Sequence, residues 1–463
     1  GGMQGWGGTV HHVVDQDKRF HGIRLCGIFY GLNISRQGFR PGAMLRRIAL
    51  FLRENLLSAI GFVLVTTSIA NFLNYVFNVV AARFLGPSLF GEFAALLAIL
   101  LIITVPANSL QALITKYVSE FHASDDMGSI RDLIIQFFKL CLYASLATMA
   151  IFLAFRGIIA GYLHIESDIP LIICGLTAAL TLLTPIFGGI LQGFQKFIWL
   201  GTFFLLYAVG RIVFGLLLIV LGYGVSGAIG GGAIGAVLAA ALAFAVVKDV
   251  FAYRPPAVRV KIREIARSYL PIIGAMLVFF AMVSLDQVIV KRKFSDTMAG
   301  EYACASFIGK MILYFPQAVA IVLYPKFVEL YYGLEDTRNL LRKGSAITLG
   351  ASVGLSVVFI GFPQRSISIL YGSEYTAASS ILWVFCLAMS GYALINLFIY
   401  YFLATSKAGF IFKALTVAFV FEVLAMYILA DSLFQVAAVH LLVSLFLVAG
   451  SLIRVRIYMD SRG

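Results

Sequence analysis

One pattern occurs twice along this chain. Pro106, Lys116, Tyr117 and Val118 recur as Pro316, Lys326, Phe327 and Val328, each 210 positions later. Gly91-Glu92-Phe93-Ala94 recurs as Gly300-Glu301-Tyr302-Ala303 at an offset of 209, so about one residue was gained between the two landmarks. The chain reads as two copies of one unit. Hydrophobic residues make up 61% of the chain, charged residues only 12%, and mean hydropathy is +0.96. Soluble domains carry about 25% charged residues, so these values define a polytopic membrane protein. Duplicated membrane units of this kind place a site between the repeats.

Crossing about 30 Å of hydrocarbon takes about 20 apolar residues at 1.5 Å each. Twelve such windows fit, centred near residues 68, 102, 144, 180, 210, 236, 281, 311, 354, 391, 420 and 443. They are too long and too continuous for barrel strands, and helices alone satisfy their own backbone in lipid. The expected fold class is all-α: about twelve transmembrane helices in two six-helix lobes, related by a pseudo-two-fold axis along the membrane normal. With the N-terminus inside, 26 of the 35 Lys and Arg residues fall in cytoplasmic segments and 6 in outer loops (Arg83, Arg156, Lys291, Arg292, Lys293, Arg365), which predicts both termini cytoplasmic. The net charge of +13 then reflects topology and anionic lipid headgroups and calls for no nucleic acid. The expected division is 1–43 as a disordered or non-native tail, 44–247 as the N-terminal lobe, 248–268 as a basic cytoplasmic linker and 269–463 as the C-terminal lobe. Leu45, Ile48, Leu52 and Leu56, interspersed with Arg46, Arg47 and Arg53, predict an interfacial helix ahead of the first span.

Several motifs have plain explanations. Gly230-x-Gly232-x-x-Gly235 matches a dinucleotide fingerprint but lies in an apolar span with no strand before it, whereas Gly227, Gly231 and Gly235 form a ladder for close helix packing. Asn33-Ile34-Ser35 is a glycosylation sequon on the side expected to be cytoplasmic. The five cysteines are scattered, and there is no Walker A motif, no HExxH and no GxSxG elbow at a strand-to-helix turn. No cofactor and no enzymatic activity are expected.

The chemistry lies in polar groups within hydrocarbon. Ser68, Asn71, Asn74 and Asn78 share one helical face, as do Thr177, Thr181 and Thr184, then Ser306, Lys310, Tyr314 and Gln317, and finally Tyr392, Asn396 and Tyr400. A single stripe can be glue between helices; several together point to a water-filled cavity. Five ionisable residues sit well inside spans: Lys139, Arg211, Asp286, Lys310 and Glu422. Each costs at least about 2.5–3.5 kcal/mol at the bilayer centre, so each needs a partner, water or a ligand. Arg211 and Lys310 either pair with Asp286 or Glu422, or clamp an anion between the lobes. Lys139, nearer the cytoplasmic face, either joins them or snorkels.

Arg83-Phe84-Leu85-Gly86-Pro87, followed by Phe90-Gly91-Glu92-Phe93-Ala94, resembles the first-repeat signature of the polysaccharide transporters, and so does Tyr371-Gly372-Ser373-Glu374-Tyr375. These are the Wzx-type lipid-linked oligosaccharide flippases of the multidrug/oligosaccharidyl-lipid/polysaccharide exporter superfamily, and the likeness spans residues 44 to 456. It implies two lobes facing each other in a V, alternating access, and movement of an isoprenoid pyrophosphate-linked glycan from the cytoplasmic to the outer leaflet. Expected substrate-binding residues are Arg211, Lys310, Lys139, Asn71, Asn74, Asn78 and Asn396. Relatives with a coupling cation use helices 7, 11 and 12 of the C-terminal lobe, and Asp286 and Glu422 fall on comparable elements. Na⁺ or H⁺ is therefore a possible partner, although polar neighbours are sparse around Glu422. A polysaccharide polymerase or another assembly protein is a further possible partner, beside membrane lipids. Two alternatives stay open: a cation-coupled multidrug or lipid II-type exporter, and a non-transporting scaffold for glycan synthesis.

Overall fold

The computed structural model describes residues 56–253, 262–333, 336–405 and 408–460. The expected tail, most of the interfacial helix and part of the linker lie outside these residues. The helices in chain order are α1 (Leu56–Ala123), α2 (Met127–Leu163), α3 (Ile169–Thr181), α4 (Thr184–Gly193), α5 (Phe197–Leu218) and α6 (Gly224–Val247). The second half holds α7 (Ile262–Met282), α8 (Leu285–Lys293), α9 (Asp296–Tyr314), α10 (Gln317–Tyr332), α11 (Arg338–Gly361), α12 (Pro363–Leu370), α13 (Ser379–Ala404), α14 (Ala408–Ile428) and α15 (Leu433–Asp460). No strand occurs among the described residues.

Among the described residues ten helical stretches are long and apolar enough to cross a membrane, against the twelve windows counted in the sequence. The difference arises from two unbroken runs of 63 and 56 residues, Gly61–Ala123 and Phe197–Ala252. At 1.5 Å per residue each is far longer than the hydrocarbon is thick. Each bends at glycine: α1 leaves helical geometry at Gly86 (φ 71°, ψ 169°), and a π-helical turn at Ile219–Tyr223 ends in Gly222 and Gly224, with φ of 91° and 49°. L-residues avoid these dihedrals, which is why glycine stands at both bends. Pro87 restarts the second limb of α1, where its missing N–H costs nothing.

The outer surface suits lipid. Phe72, Ile158, Val220, Val322, Val417 and Phe446 are each more than half exposed, a density of apolar surface that water would not tolerate. The glycine ladder of α6 does what its spacing predicts: a Cβ on Gly231 would stand 2.4 Å from the Gly215 Cα, and one on Gly235 would stand 2.5 Å from the Tyr207 carbonyl oxygen, so α5 and α6 pack backbone to backbone.

At one end of the molecule the two halves are laced together through α1. Gly91 lies against Gly300, and a Cβ on Gly300 would overlap the Pro87 carbonyl oxygen at 1.9 Å. Beside this approach, the Phe90 ring contacts Phe307, Tyr371 and Tyr375 at centroid separations of 5.6, 6.0 and 5.8 Å. The Tyr375 hydroxyl donates to the Ala82 carbonyl at 2.7 Å. Arg83 donates from Nε to the Leu370 carbonyl at 2.9 Å and from Nη2 to that of Ile369. Arg292 meets His164 at 2.6 Å.

Candidate functional site

Two polar centres lie within the apolar body, one in each half, the first part-buried and the second fully buried. In the first half, Arg211 projects from α5 toward the first limb of α1. Its Nη1 donates to Asn74 Oδ1 at 2.9 Å and its Nη2 to Asn78 Oδ1 at 3.2 Å, and the guanidinium stacks over Phe77 at 4.6 Å. The asparagine stripe therefore reaches the arginine because four residues make nearly one helical turn. Both partners are neutral amides: they orient the guanidinium and leave its charge intact. Arg211 also lines a cavity of about 100 Å³ whose walls include Thr104, Thr177, Thr181 and Tyr207. Thr177 and Thr181 donate to carbonyls one turn back, at 2.8 and 2.5 Å, so their hydroxyls are satisfied while still giving the wall a polar lining.

The second centre joins five helices. Asp286 stands in the first turn of α8, where the helix dipole favours a carboxylate. Glu422 comes from α14 and His440 from α15, and none of the three is more than 1% exposed. His440 Nδ1 lies 2.7 Å from Glu422 Oε1, and Nε2 lies 3.3 Å from Asp286 Oδ2. These are ion-pair distances; neither approach is aligned as a hydrogen bond. Tyr392, on α13, donates to Glu422 Oε1 at 2.6 Å. Tyr302 and Lys310, both on α9, act on Asp286 as well.

The alternative in which Arg211 and Lys310 pair directly with the carboxylates does not occur: His440 holds that place. Lys310 is buried, 5% exposed, with its ammonium 5.6 Å from the centre of the Phe307 ring, and Asp286 is its nearest influence of opposite charge. Asn396 is buried with its Oδ1 lacking a partner. Asn71 and Lys139 are exposed, and neither joins the Arg211 cavity. His440 is the residue that sequence reasoning missed. A search of spans for formal charge passes over histidine, and the available signal was an imidazole in the middle of the apolar run 433–457.

Gly350-Ala351-Ser352-Val353-Gly354 has the spacing of a nucleophile elbow, but it lies inside α11, and Ser352 is buried with its hydroxyl turned to the Ile312 carbonyl at 3.3 Å. No cluster of three metal-binding side chains is arranged to hold an ion among the described residues.

The fold that carries these two centres is shared with solved transporters of the multidrug/oligosaccharidyl-lipid/polysaccharide exporter superfamily. The inward closed lipid II flippase MurJ matches with a TM-score of 0.65 at 17% identity, over 85% of this chain and 87% of that one. An inward-facing multidrug resistance MATE family transporter matches with a TM-score of 0.67 at 12% identity, over 86% and 98%. A transporter of this superfamily from Pyrococcus furiosus, described as having a binding pocket of reverse polarity, matches at 0.55 and 11%, over 87% and 95%. Among curated proteins none matches. Residues 56–331 match the polysaccharide biosynthesis protein family, and the chain belongs to that family.

Proposed function

We propose that this protein is an alternating-access flippase that carries an isoprenoid pyrophosphate-linked oligosaccharide from the cytoplasmic to the outer leaflet. The observation that carries this reading is Arg211: a part-buried guanidinium within an apolar body, oriented by two amides with no carboxylate to neutralise it among the described residues. A charge kept un-neutralised within a membrane-spanning body is costly and fits a ligand of opposite sign. Two of its five N–H donors are engaged by Asn74 and Asn78, and the rest suit phosphate oxygens. Lys310, the second cation expected from the sequence, lies outside the Arg211 cavity and answers to Asp286 in this conformation. In this reading the isoprenoid stays in lipid, since exposing it to water costs about 0.8 kcal/mol per CH₂.

Membership of a polysaccharide biosynthesis family and the likeness of fold to a lipid II flippase support the class of cargo. In the same reading the laced end at Gly91 and Gly300 is the outer gate, closed, with both termini cytoplasmic; a polymerase or another assembly protein would receive the product outside. Export of cationic drugs is disfavoured, because Arg211 lines the cavity where a cation would need a carboxylate. A pure scaffold gains nothing from either buried centre.

The test is reconstitution. Vesicles containing Arg211→Ala should lose flipping of a pyrophosphate-linked oligosaccharide, while Arg211→Lys keeps part of it. Parental rates for a correctly folded alanine variant would overturn the reading.

A further inference from the structure

The Asp286–His440–Glu422 centre has a charge balance that the cargo reading does not use. Two carboxylates face one imidazole at 3.3 and 2.7 Å, from three different helices, and each of the three side chains is at most 2% exposed. If the ring were neutral, two like charges would confront each other in a medium of low dielectric, with only Lys310 on α9 to offset them. If the ring is an imidazolium, the four groups sum to zero. The tyrosines that face the centre, Tyr392 at Glu422 and Tyr302 beside Asp286, add hydrogen-bonding capacity without charge. The remaining close neighbour of the ring is Phe385, its centroid 6.0 Å away. Tyr314, a further tyrosine on α9, also acts on Asp286.

The ring also fills the volume between the two carboxylates. A metal ion held there would need both carboxylates plus further oxygen ligands, and the imidazole already stands between them. A proton needs no such space. It binds the ring, makes both nitrogens donors, and turns the repulsion between α8 and α14 into attraction to α15.

We propose that His440 is the site at which this protein binds and releases a coupling proton, with Asp286 and Glu422 as its fixed counter-charges and H⁺ rather than Na⁺ as the exchanged cation. Proton loading ties α8, α14 and α15 together. Proton release leaves the carboxylates unbalanced, so that these helices separate or Lys310 turns more fully to Asp286. The coupling role rests on the transport reading above; the protonation itself does not.

The test separates the two. The full-length protein, isotope-labelled at histidine and held in lipid nanodiscs, is followed by nitrogen NMR between about pH 5 and 8. Besides His440 the sequence has His11, His12, His21, His122 and His164, and replacing those by Gln isolates one resonance even if His440→Gln fails to fold. The expected result is a doubly protonated ring that loses its second proton in Asp286→Asn/Glu422→Gln, with no response to exchanging K⁺ for Na⁺. A singly protonated ring across the whole range, or a resonance that moves with Na⁺, would overturn the proposal. In parallel, farnesyl pyrophosphate serves as an anionic probe of the Arg211 cavity. A doubly protonated His440 in a protein that does not bind this probe leaves the proton site standing and removes the cargo reading. In vesicles, His440→Gln is expected to lose the acceleration of flipping by a pH gradient while probe binding persists; a gradient response equal to the parent would refute the coupling role.

Discussion

Glu422 and His440 meet at 2.7 Å, a carboxylate oxygen on a ring nitrogen, in an interior where neither side chain is more than 2% exposed. Separating such partners is more damaging than never having had them. Truncating one member of a buried charge pair typically costs about 3–5 kcal/mol, because the survivor stays buried and unpaired. His440→Leu should therefore lower thermal stability in detergent markedly, and His440→Leu combined with Asp286→Asn and Glu422→Gln should recover most of the loss. Equal damage in the single and triple variants, read by fluorescence-monitored unfolding, would show that the charges contribute little and the ring's volume matters instead.

Each carboxylate taken singly makes a softer change. Asp286→Asn and Glu422→Gln keep shape and hydrogen-bonding reach while removing one counter-charge from the histidine. Both should fall in transport further than in membrane abundance, measured in the same cells by flipping assay and by quantitative blotting. Abundance and transport falling in parallel would assign the pair to folding alone.

Asn74→Asp offers a sharper probe of the first centre than deleting Arg211. It places a carboxylate at the 2.9 Å contact and neutralises the guanidinium in position. The fold should tolerate or even gain from the new pair. Binding of an anionic headgroup should weaken by roughly 10–100-fold, the equivalent of about 1.5–3 kcal/mol for a hydrogen bond to a charged group. Isothermal titration with farnesyl pyrophosphate reads this directly, and unchanged affinity would remove Arg211 from the site.

At the laced end, Gly300→Ala should act on conformation before it acts on stability. The added methyl would overlap the Pro87 carbonyl oxygen at 1.9 Å, a contact no side chain can relax because both partners are backbone. The two halves must then part. Spin labels at Ile158 and Arg365, both exposed, should report longer distances in the variant than in the parent by electron–electron double resonance. Superimposable distance distributions would mean that the closure does not depend on this approach.

Asp126 precedes α2 in the turn after α1 and accepts from the Ser129 backbone N–H at 2.9 Å. The Ser129 donors hold its carboxyl below the ordinary carboxylate range. The sign follows: a depressed folded value gives stability that is present above the usual carboxylate range and lost as pH falls through the folded value. Asp126→Ala should cost about 1 kcal/mol at neutral pH, less where solvent screens this exposed group, and the difference from the parent should vanish in acid. A constant difference across pH, in denaturation followed by circular dichroism, would argue against a charged cap.

Much of this architecture could be read from residues alone, because hydropathy windows and a doubled motif are both set by solvent and chain geometry. The asparagine stripe of α1 was legible for the same reason, and it reaches Arg211 as its spacing requires. Two aspects were not. Windows of hydropathy divide a chain at each membrane thickness, whereas Gly86 and the π-helical turn bend their helices without interrupting them, so the helical stretches number ten. Side-chain partners are chosen in three dimensions: Lys139 reads like Arg211 in a linear scan, yet it faces outward, while His440, uncharged in any formal count, stands between two carboxylates. The cations expected on the outer side look anomalous in a charge tally, but Arg83, Arg292 and Lys293 are occupied; Lys293 donates to the carbonyls of Tyr427 and Ala430 at 2.9 and 2.6 Å, at the end of α14.

The contact between Gly91 and Gly300 bears on ancestry. These are the same position of the motif in its two copies, and a residue touches its own counterpart only where a symmetry axis passes between them. Before the two copies were fused, that position would have met itself across a homodimer. Any substitution there would have been felt twice at one point, the added atoms colliding with their own duplicates. A single gene for half of this chain could thus have held only the smallest residue at the site. A fusion would free the two glycines to vary separately, yet both positions carry glycine, because each faces backbone of the other half.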